Sequence, residues 1–134
     1  AFYVYQIRVP ERTFTGLIVC SDIRDYISGK VKKHENTLAP KEQQQLNLLI
    51  RRKAMVKPIL ITYPEVRGIS KILQNFIKES KAFFSCELEG KDESHHVWEL
   101  SDGKLIQELQ ELFKKDVPVS YIADGHHRCS ATAL

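Results

Sequence analysis

Two amphipathic helical patterns, set among short β-rich runs, constrain the fold of this chain most strongly. In the first, apolar residues recur at the i, i+3, i+4, i+7 spacing of one helix face, which predicts a helix over about residues 68 to 80. The second predicts a helix capped by Ser101 or Asp102. The apolar positions of the two helices are Ile69, Ile72, Leu73, Phe76 and Ile77, and Leu105, Ile106, Leu109, Leu112 and Phe113.

The other segments complete an alternation of strands and helices. "FYVYQIRV" and "FTGLIVCS" flank the turn "PERT" and predict a hairpin, and the polar stretch that follows predicts a loop with room for one short strand or turn. Pro40 suits the first position of a helix that runs to about Met55, and "KPILITYP" predicts a buried strand. "AFFSCELEG", "HHVWELSD" and "VPVSYIAD" predict three more strands, and "GHHRCSATAL" predicts a last helix.

This order predicts an α/β (α+β) fold, in which a mixed β-sheet is flanked by helices. A length of 134 residues and a hydrophobic content of 43% predict one domain over residues 1–134. The chain starts without Met inside a strand-like run and stops inside a helix-favouring run. We therefore expect a central fragment of a longer protein.

Charge and cysteine content narrow the classes of function. The net charge is +3, from 20 basic and 17 acidic side chains. This small charge does not favour binding to an anionic membrane or direct binding to nucleic acid. No apolar run approaches the roughly 18 residues that span a bilayer, and the N-terminus does not resemble a signal peptide. Three widely spaced cysteines fit reduced thiols, so we expect a cytoplasmic protein. The sequence does not indicate an oligomeric state.

The turn "ADGHHR", between a predicted strand and the last helix, carries the main candidate site. Gly125 stands where the backbone must turn sharply, and the first amides of the helix have no partner within it. Those amides and the helix dipole form an anion site, to which Arg128 adds donors for a phosphate. Asp124 is suited to cap the helix, accept a proton or hold magnesium, and His126 and His127 can donate to a phosphate or exchange protons.

Two other interpretations of this turn are weaker. Asp124 can simply cap the helix beside solvated imidazoles, but a polar cluster at the carboxyl end of an apolar strand favours a ligand site, because ligands commonly bind there in α/β sheets. A zinc site at His126, His127 and Cys129 is disfavoured, since neighbouring side chains in the first helical turn diverge.

The polar loop "GKVKKHENT" is the second candidate site. It combines cations that can neutralise phosphates with the carboxylate of Glu35. A solvated basic loop is an equally good interpretation, and the loop gains a functional role only if it folds against the Asp124 turn. Its basic residues are Lys30, Lys32, Lys33 and His34.

Four motifs in order, "TGLIVC", "KKHENT", "HHVWELSD" and "PVSYIADGHHR", resemble an uncharacterised bacterial domain-of-unknown-function family, number ten-fifteen. This resemblance runs through nearly the whole chain. The signature Asp-Gly-x-His-Arg also resembles the ParB and sulfiredoxin-like superfamily, and this resemblance implies an α/β fold with a nucleotide-phosphate site at the matching turn.

Within that superfamily the free-serine kinases are most similar, at Asp124, Gly125, His127 and Arg128. The resemblance implies an upstream glutamate that activates the serine hydroxyl, and Glu35 is the candidate by position and chemistry. Sulfiredoxins differ because His126 occupies the place of their catalytic cysteine. ParB proteins differ because only Arg128 of their Glu-Arg-Arg box is present.

We therefore expect binding of a nucleotide or phosphorylated metabolite and phosphoryl transfer to a small hydroxylated acceptor. The expected cofactor is Mg²⁺ with ATP or ADP, and Asp124 is the candidate magnesium ligand. One rival is a non-catalytic regulatory module or nucleic-acid adaptor of ParB type. Another is a redox enzyme, which requires a lowered pKa at Cys129. The expected catalytic residues are Asp124, Glu35 and His127, and the expected phosphate-binding residues are Gly125, His126, Arg128, Lys33 and His34.

Overall fold

The computed structural model of the chain describes residues 1–55 and 57–134. Within these residues the chain has the mixed α+β class that the sequence predicts. The strands are β1 Phe2–Val9, β2 Arg12–Ile18, β3 Val31–Lys32, β4 Leu60–Thr62, β5 Phe84–Glu87, β6 Ser94–Leu100 and β7 Ser120–Asp124. The helices are α1 Ile23–Ile27, α2 Ala39–Arg52, α3 Arg67–Glu79, α4 Gly103–Asp116 and α5 His126–Thr132.

The strands form two sheets, whereas the sequence predicted one. The chain divides into two compact units: unit 1 comprises Ala1–Cys20 and Glu65–Asp116, and unit 2 comprises Ser21–Pro64 and Val117–Leu134. Unit 1 contains an antiparallel sheet in the order β2-β1-β6-β5, and unit 2 contains a sheet in the order β3-β7-β4. Hydrophobic periodicity identifies individual strands but not their distant partners, which is why the division was not predicted.

Unit 1 is built on the hairpin of β1 and β2 that the sequence predicts. Strand β1 also pairs with β6, so that Val4 lies opposite Trp98. Alternation along β1 buries Val4 and Gln6 on the same face. Gln6 is a polar residue at a buried position, and its amide is satisfied because it donates to Thr15 and accepts from Arg8.

Helices α3 and α4 pack on each other in unit 1 and confirm both predicted amphipathic patterns. The buried residues include Ile69 and Leu73 of α3 and Leu109 of α4. Asp102 caps α4, since its carboxylate accepts from the backbone amides of Lys104 and Leu105. None of the helices in the described part of the chain is long and apolar enough to cross a bilayer.

Unit 2 is organised around β7, which pairs in parallel with β3 and antiparallel with β4. Its buried core joins Ile122 of β7 to Val31 of β3 and Cys129 of α5. The partly buried residues Ile23, Tyr26, Ile59 and Ile61 pack around these three.

Three details of unit 2 differ from the prediction. Strand β4 was predicted to be buried but lies at the edge of its sheet, where Leu60 is 58% exposed. The predicted loop after residue 21 contains the short helix α1, which begins where Asp22 accepts from the amide of Arg24. Helix α2 ends at Arg52 rather than near Met55, because Lys53 takes a left-handed conformation with a φ of 50°.

Truncation of Ile122 is expected to destabilise unit 2. Its side chain is 0% exposed at the centre of the sheet, so Ile122→Ala should lower the free energy of unfolding by about 2–5 kcal/mol. The matched control is Ile50→Ala on α2, where the side chain is 63% exposed and the change should stay within about 0.5 kcal/mol. Urea denaturation followed by circular dichroism measures both, and equal losses would contradict the assignment of Ile122 to the core.

Candidate functional site

The parallel pairing of β3 with β7 brings the two candidate segments to one edge of the sheet, the edge at which the carboxyl ends of both strands lie. Val31 pairs with Ser120 and Lys32 with Tyr121, so the chain leaves both strands in the same direction. The residues that follow β3 and those that follow β7 therefore emerge side by side. Leu60 at the start of β4 pairs with Asp124, and this pairing brings the segment before β4 to the same edge.

A cavity of about 250 Å³ lies at this edge and belongs entirely to unit 2. Glu35 and Asp124, which the sequence could relate only by chemistry, both line it. Its wall combines carboxylates, cations, imidazoles and amides, so it is a polar cavity. The lining residues are Glu35, Lys41, Gln44, Gln45, Asp124, Gly125, His126, His127 and Arg128.

Gly125 turns the chain from β7 into α5. Its φ of 102° lies in a region that L side chains rarely adopt, and it occupies the N-cap position without a side chain to cap the helix. A Cβ at this position would stand only 2.7 Å from Nη2 of Arg128. The backbone conformation therefore favours glycine, and a Cβ at this position would also displace the flexible guanidinium end of Arg128.

Arg128 folds back over this turn and holds it. Its Nη2 donates to Oδ2 of Asp124 at 2.8 Å and to the backbone oxygen of Pro58 at 3.3 Å. Lys57 Nζ lies 3.6 Å from the same carboxylate oxygen. The hydrogen bond from Arg128 lowers the pKa of Asp124, so this carboxylate stays ionised and is a weak base.

His126 is the buried member of the site, with a side chain that is 3% exposed. Its Nδ1 lies 3.1 Å from Oε1 of Glu35, and its ring meets the His34 ring edge to face at 4.4 Å between centroids. Among the described residues, no hydrogen-bond partner reaches its Nε2. The structure thus brings together the predicted site residues His34, Glu35 and His126. His126 was predicted to bind phosphate, but its Nδ1 faces Glu35.

His127 points toward α2 and contacts the backbone there. The amide of Leu38 donates to its Nε2 at 3.2 Å, so a neutral His127 carries its proton on Nδ1. Nδ1 is therefore the nitrogen with which His127 can donate to a ligand. Lys33 and His34 are exposed, and the described residues that line the cavity do not include them.

Helix α2 supplies the part of the site that the sequence did not reveal. Lys41, Gln44 and Gln45 line the cavity, and Glu42 accepts a hydrogen bond from Ser130 of α5. This bond is the main reason for the lowered pKa of Glu42, to which Thr37, His127 and Lys33 also contribute. The sequence shows that α2 has a polar face, but it does not show which element that face lies beside. The packing of α2 against α5 brings the polar face to the cavity.

The redox hypothesis loses its support. Cys129 is 5% exposed within the core of unit 2, and burial raises the pKa of its thiol. A reactive cysteine needs a lowered pKa and access to solvent. Cys129 is a core residue, so the condition that a redox enzyme required of it, a lowered pKa, is not met.

A family model described as "Protein of unknown function (DUF1015)" matches residues 1–134. The chain belongs to this family. The match confirms the family resemblance of the sequence, while the similarity to the ParB and sulfiredoxin-like superfamily stays a prediction. A comparison with curated proteins and another with solved structures each find no match.

Gly125→Ala is expected to strain the turn of this DUF1015 chain. The positive φ and the approach of Arg128 should together lower the free energy of unfolding by about 1–3 kcal/mol. Gly103→Ala is the matched control, because a Cβ there meets nothing within 4 Å and alanine favours the start of α4. Thermal unfolding of both variants measures the difference, and a neutral Gly125→Ala would contradict the observed turn.

The contact between Glu42 and Ser130 predicts a pH-dependent stability. Because the folded-state pKa of Glu42 is lowered, its contribution is complete above the ordinary pKa of glutamate and disappears as the pH falls through the lowered value. Glu42→Gln should therefore reduce stability at neutral pH and leave it unchanged in strong acid. Urea denaturation across that range measures this, with the exposed Glu108→Gln of α4 as control. A pH-independent difference would show that the contact acts without charge.

Proposed function

We propose that this DUF1015 chain binds a phosphorylated small molecule in the cavity beside Gly125 and transfers a phosphoryl group to a small hydroxylated acceptor. One observation carries the proposal: Glu35 lines the same cavity as Asp124, Arg128 and Lys41. A carboxylate suited to accept a hydroxyl proton thus shares a small space with cations suited to phosphate oxygens. Phosphoryl transfer depends mainly on such positioning and charge stabilisation.

The phosphate side of the cavity consists of cations and backbone donors. Arg128 and Lys41 supply positive charge, and the first amides of α5, from Gly125 to His127, point toward the helix N-terminus. His127 donates through Nδ1 in this arrangement. Lys33 and His34 lie outside the lining and act on the phosphates through their charge or through a local movement of the loop.

The two carboxylates have different roles in this proposal. Glu35 is the base for the acceptor hydroxyl, because it is exposed and lies at the cavity wall. Asp124 is held ionised by Arg128, so it positions the arginine and is a weak base. If Mg²⁺ accompanies ATP or ADP, Asp124 would hold the ion, and Mg²⁺ would neutralise phosphate charge.

The size of the cavity favours a small ligand. At about 250 Å³ it is smaller than typical ligand pockets of roughly 300–1,000 Å³. It suits a phosphate group with a small organic part, and the base and ribose of ATP or ADP would lie outside it. The resemblance of Asp124, Gly125, His127 and Arg128 to free-serine kinases suggests a serine-like acceptor.

The alternative is a regulatory module that binds a nucleotide or phosphometabolite without turnover. It is favoured by the bonds that Arg128 already makes to Asp124 and to the backbone before β4. A phosphate that competes for Arg128 would break its hydrogen bonds to Asp124 and to Pro58. Because Pro58 lies just before the edge strand β4, that strand would lose a contact with the turn. Direct nucleic-acid binding remains less favoured because the net charge is only +3.

Nucleotide turnover distinguishes these two functions. The full protein is incubated with ATP or ADP, Mg²⁺ and a panel of small hydroxylated metabolites that includes serine. Loss of a general base costs about 10²–10⁴-fold, so Glu35→Gln should reduce kcat by at least about 100-fold. Arg128→Ala and Lys41→Ala should weaken phosphate binding, and Glu108→Gln on α4 is the matched control that should retain full activity.

Three results decide the outcome. Turnover that Glu35→Gln abolishes supports the phosphotransferase. Binding of nucleotide or inorganic phosphate without turnover across the panel supports the regulatory module. Absence of both in a folded protein, as judged by circular dichroism, rejects a phosphate site at this cavity.

A further inference from the structure

We infer that His34, Glu35 and His126 form a binding site for a divalent transition-metal ion of the zinc class. One ligand atom from each residue lies within 4.8 Å of the others. This inference goes beyond the proposed phosphoryl transfer, because it assigns a metal to a cluster that includes Glu35 but not Asp124. A Glu35 that binds the ion is not free to accept a proton, so metal binding and the role of Glu35 as a base are alternative states of this residue. Cobalt binding and turnover test them separately.

The donor set selects the type of ion. Two imidazoles and one carboxylate are ligands that Zn²⁺ and neighbouring transition metals favour, whereas Mg²⁺ favours oxygen ligands and retained waters. Asp124 is not among the described residues whose ligand atoms lie within 4.8 Å of one another. The site is therefore distinct from a magnesium ion held by Asp124.

One distance between ligand atoms is close to that of two ligands on a coordinated ion. Two ligands that each stand about 2.0–2.1 Å from a tetrahedral ion are about 3.3 Å apart, and Nδ1 of His126 lies 3.1 Å from Oε1 of Glu35. The His34 ring meets His126 at a centroid distance of 4.4 Å. His126 is a buried anchor, while His34 and Glu35 are exposed and have room to adjust their rotamers around an ion.

The second nitrogen of His126 lies on the other side of the ring from this cluster. Nδ1 faces Glu35, and the two nitrogens of one imidazole cannot bind the same ion, so Nδ1 is the inferred ligand atom. Nε2 is buried, and none of the described residues forms a hydrogen bond with it. The second nitrogen of a metal-bound histidine normally donates to a neighbouring group, and we expect an ordered water in that place.

The two histidines of β6 show the contrast within the same chain. His95 contacts Tyr5 through Nδ1 at 2.6 Å and Glu93 through Nε2 at 2.9 Å. His96 contacts Ser85 through Nδ1 at 2.9 Å and Ser94 through Nε2 at 3.0 Å. These structural histidines use both ring nitrogens, whereas His126 does not.

The inferred site has an open coordination position. Three protein ligands leave at least one position of a tetrahedral ion for water or a ligand oxygen, as in catalytic zinc sites. Glu35 and His126 also line the cavity, so that open position lies beside the space in which a small molecule would bind. The expected exogenous ligand is an oxygen atom of water, a carboxylate or a phosphate ester.

Cobalt titration tests the site without any turnover. Co²⁺ is added to the chelator-treated full protein, and the visible absorption of four- or five-coordinate cobalt is followed; Zn²⁺ is then added as competitor. We expect one Co²⁺ per chain, displaced by Zn²⁺. Loss of a residue that hydrogen-bonds to a metal ligand lowers metal affinity by about 10–100-fold. His34→Gln and Glu35→Gln remove ligands themselves, so each should weaken Co²⁺ binding by about 100-fold or more.

His96→Gln is the matched control, since it removes a histidine of unit 1 whose nitrogens are both engaged. It should bind Co²⁺ as the unchanged protein does. If buried His126→Gln does not fold, the exposed His34→Gln variant still decides the question. Absence of saturable Co²⁺ binding, or binding that His34→Gln leaves intact, overturns the inference.

Failure of the metal site and failure of phosphoryl transfer remain distinguishable. Cobalt binding is measured without nucleotide or acceptor, and turnover is measured with Mg²⁺ in the presence of both. Lys41→Ala provides a further separation, because Lys41 lines the cavity but is not a ligand of the inferred metal. This variant should weaken phosphate binding and leave cobalt affinity unchanged.

Discussion

The parallel pairing of β3 with β7 is the contact on which the candidate site depends. Strand β3 has only two residues, yet it makes the chain leave both strands at the same edge. His34 and Glu35 follow β3, and His126 follows β7. Antiparallel pairing would have sent these segments to opposite ends of the sheet, so the strand direction brings two distant parts of the chain into one cavity.

The turn after β7 assigns structural contacts to the same residues that the proposed function uses for ligand binding. Gly125 allows the guanidinium of Arg128 to lie against the backbone, and Arg128 in turn fastens Asp124 and Pro58. A ligand that uses Arg128 must share it with these contacts. In the proposed function, the cost of that exchange would lower the affinity for phosphate, and it would couple ligand binding to the edge strand β4.

Helix α2 completes the site by packing against α5. It places Lys41 and two glutamines at the cavity, and the contact between Glu42 and Ser130 fixes one helix against the other. That hydrogen bond stabilises the charged form of Glu42 and lowers its pKa. Unit 2 consequently gathers a polar cavity and a His-His-Glu cluster around one small sheet.

The sequence by itself determined the α+β class, the amphipathic helices α3 and α4, and the turn from strand to helix at Asp124 and Gly125. These features rest on local patterns: periodicity, capping residues and a glycine between strand and helix. The pairing of β3 with β7, the division into two sheets and the contact of His126 with Glu35 were decided only by the tertiary structure. They join residues that are far apart along the chain. Strand β3 has only two residues, and the loop after it faces solvent, so neither has a hydrophobic period from which a distant partner can be identified.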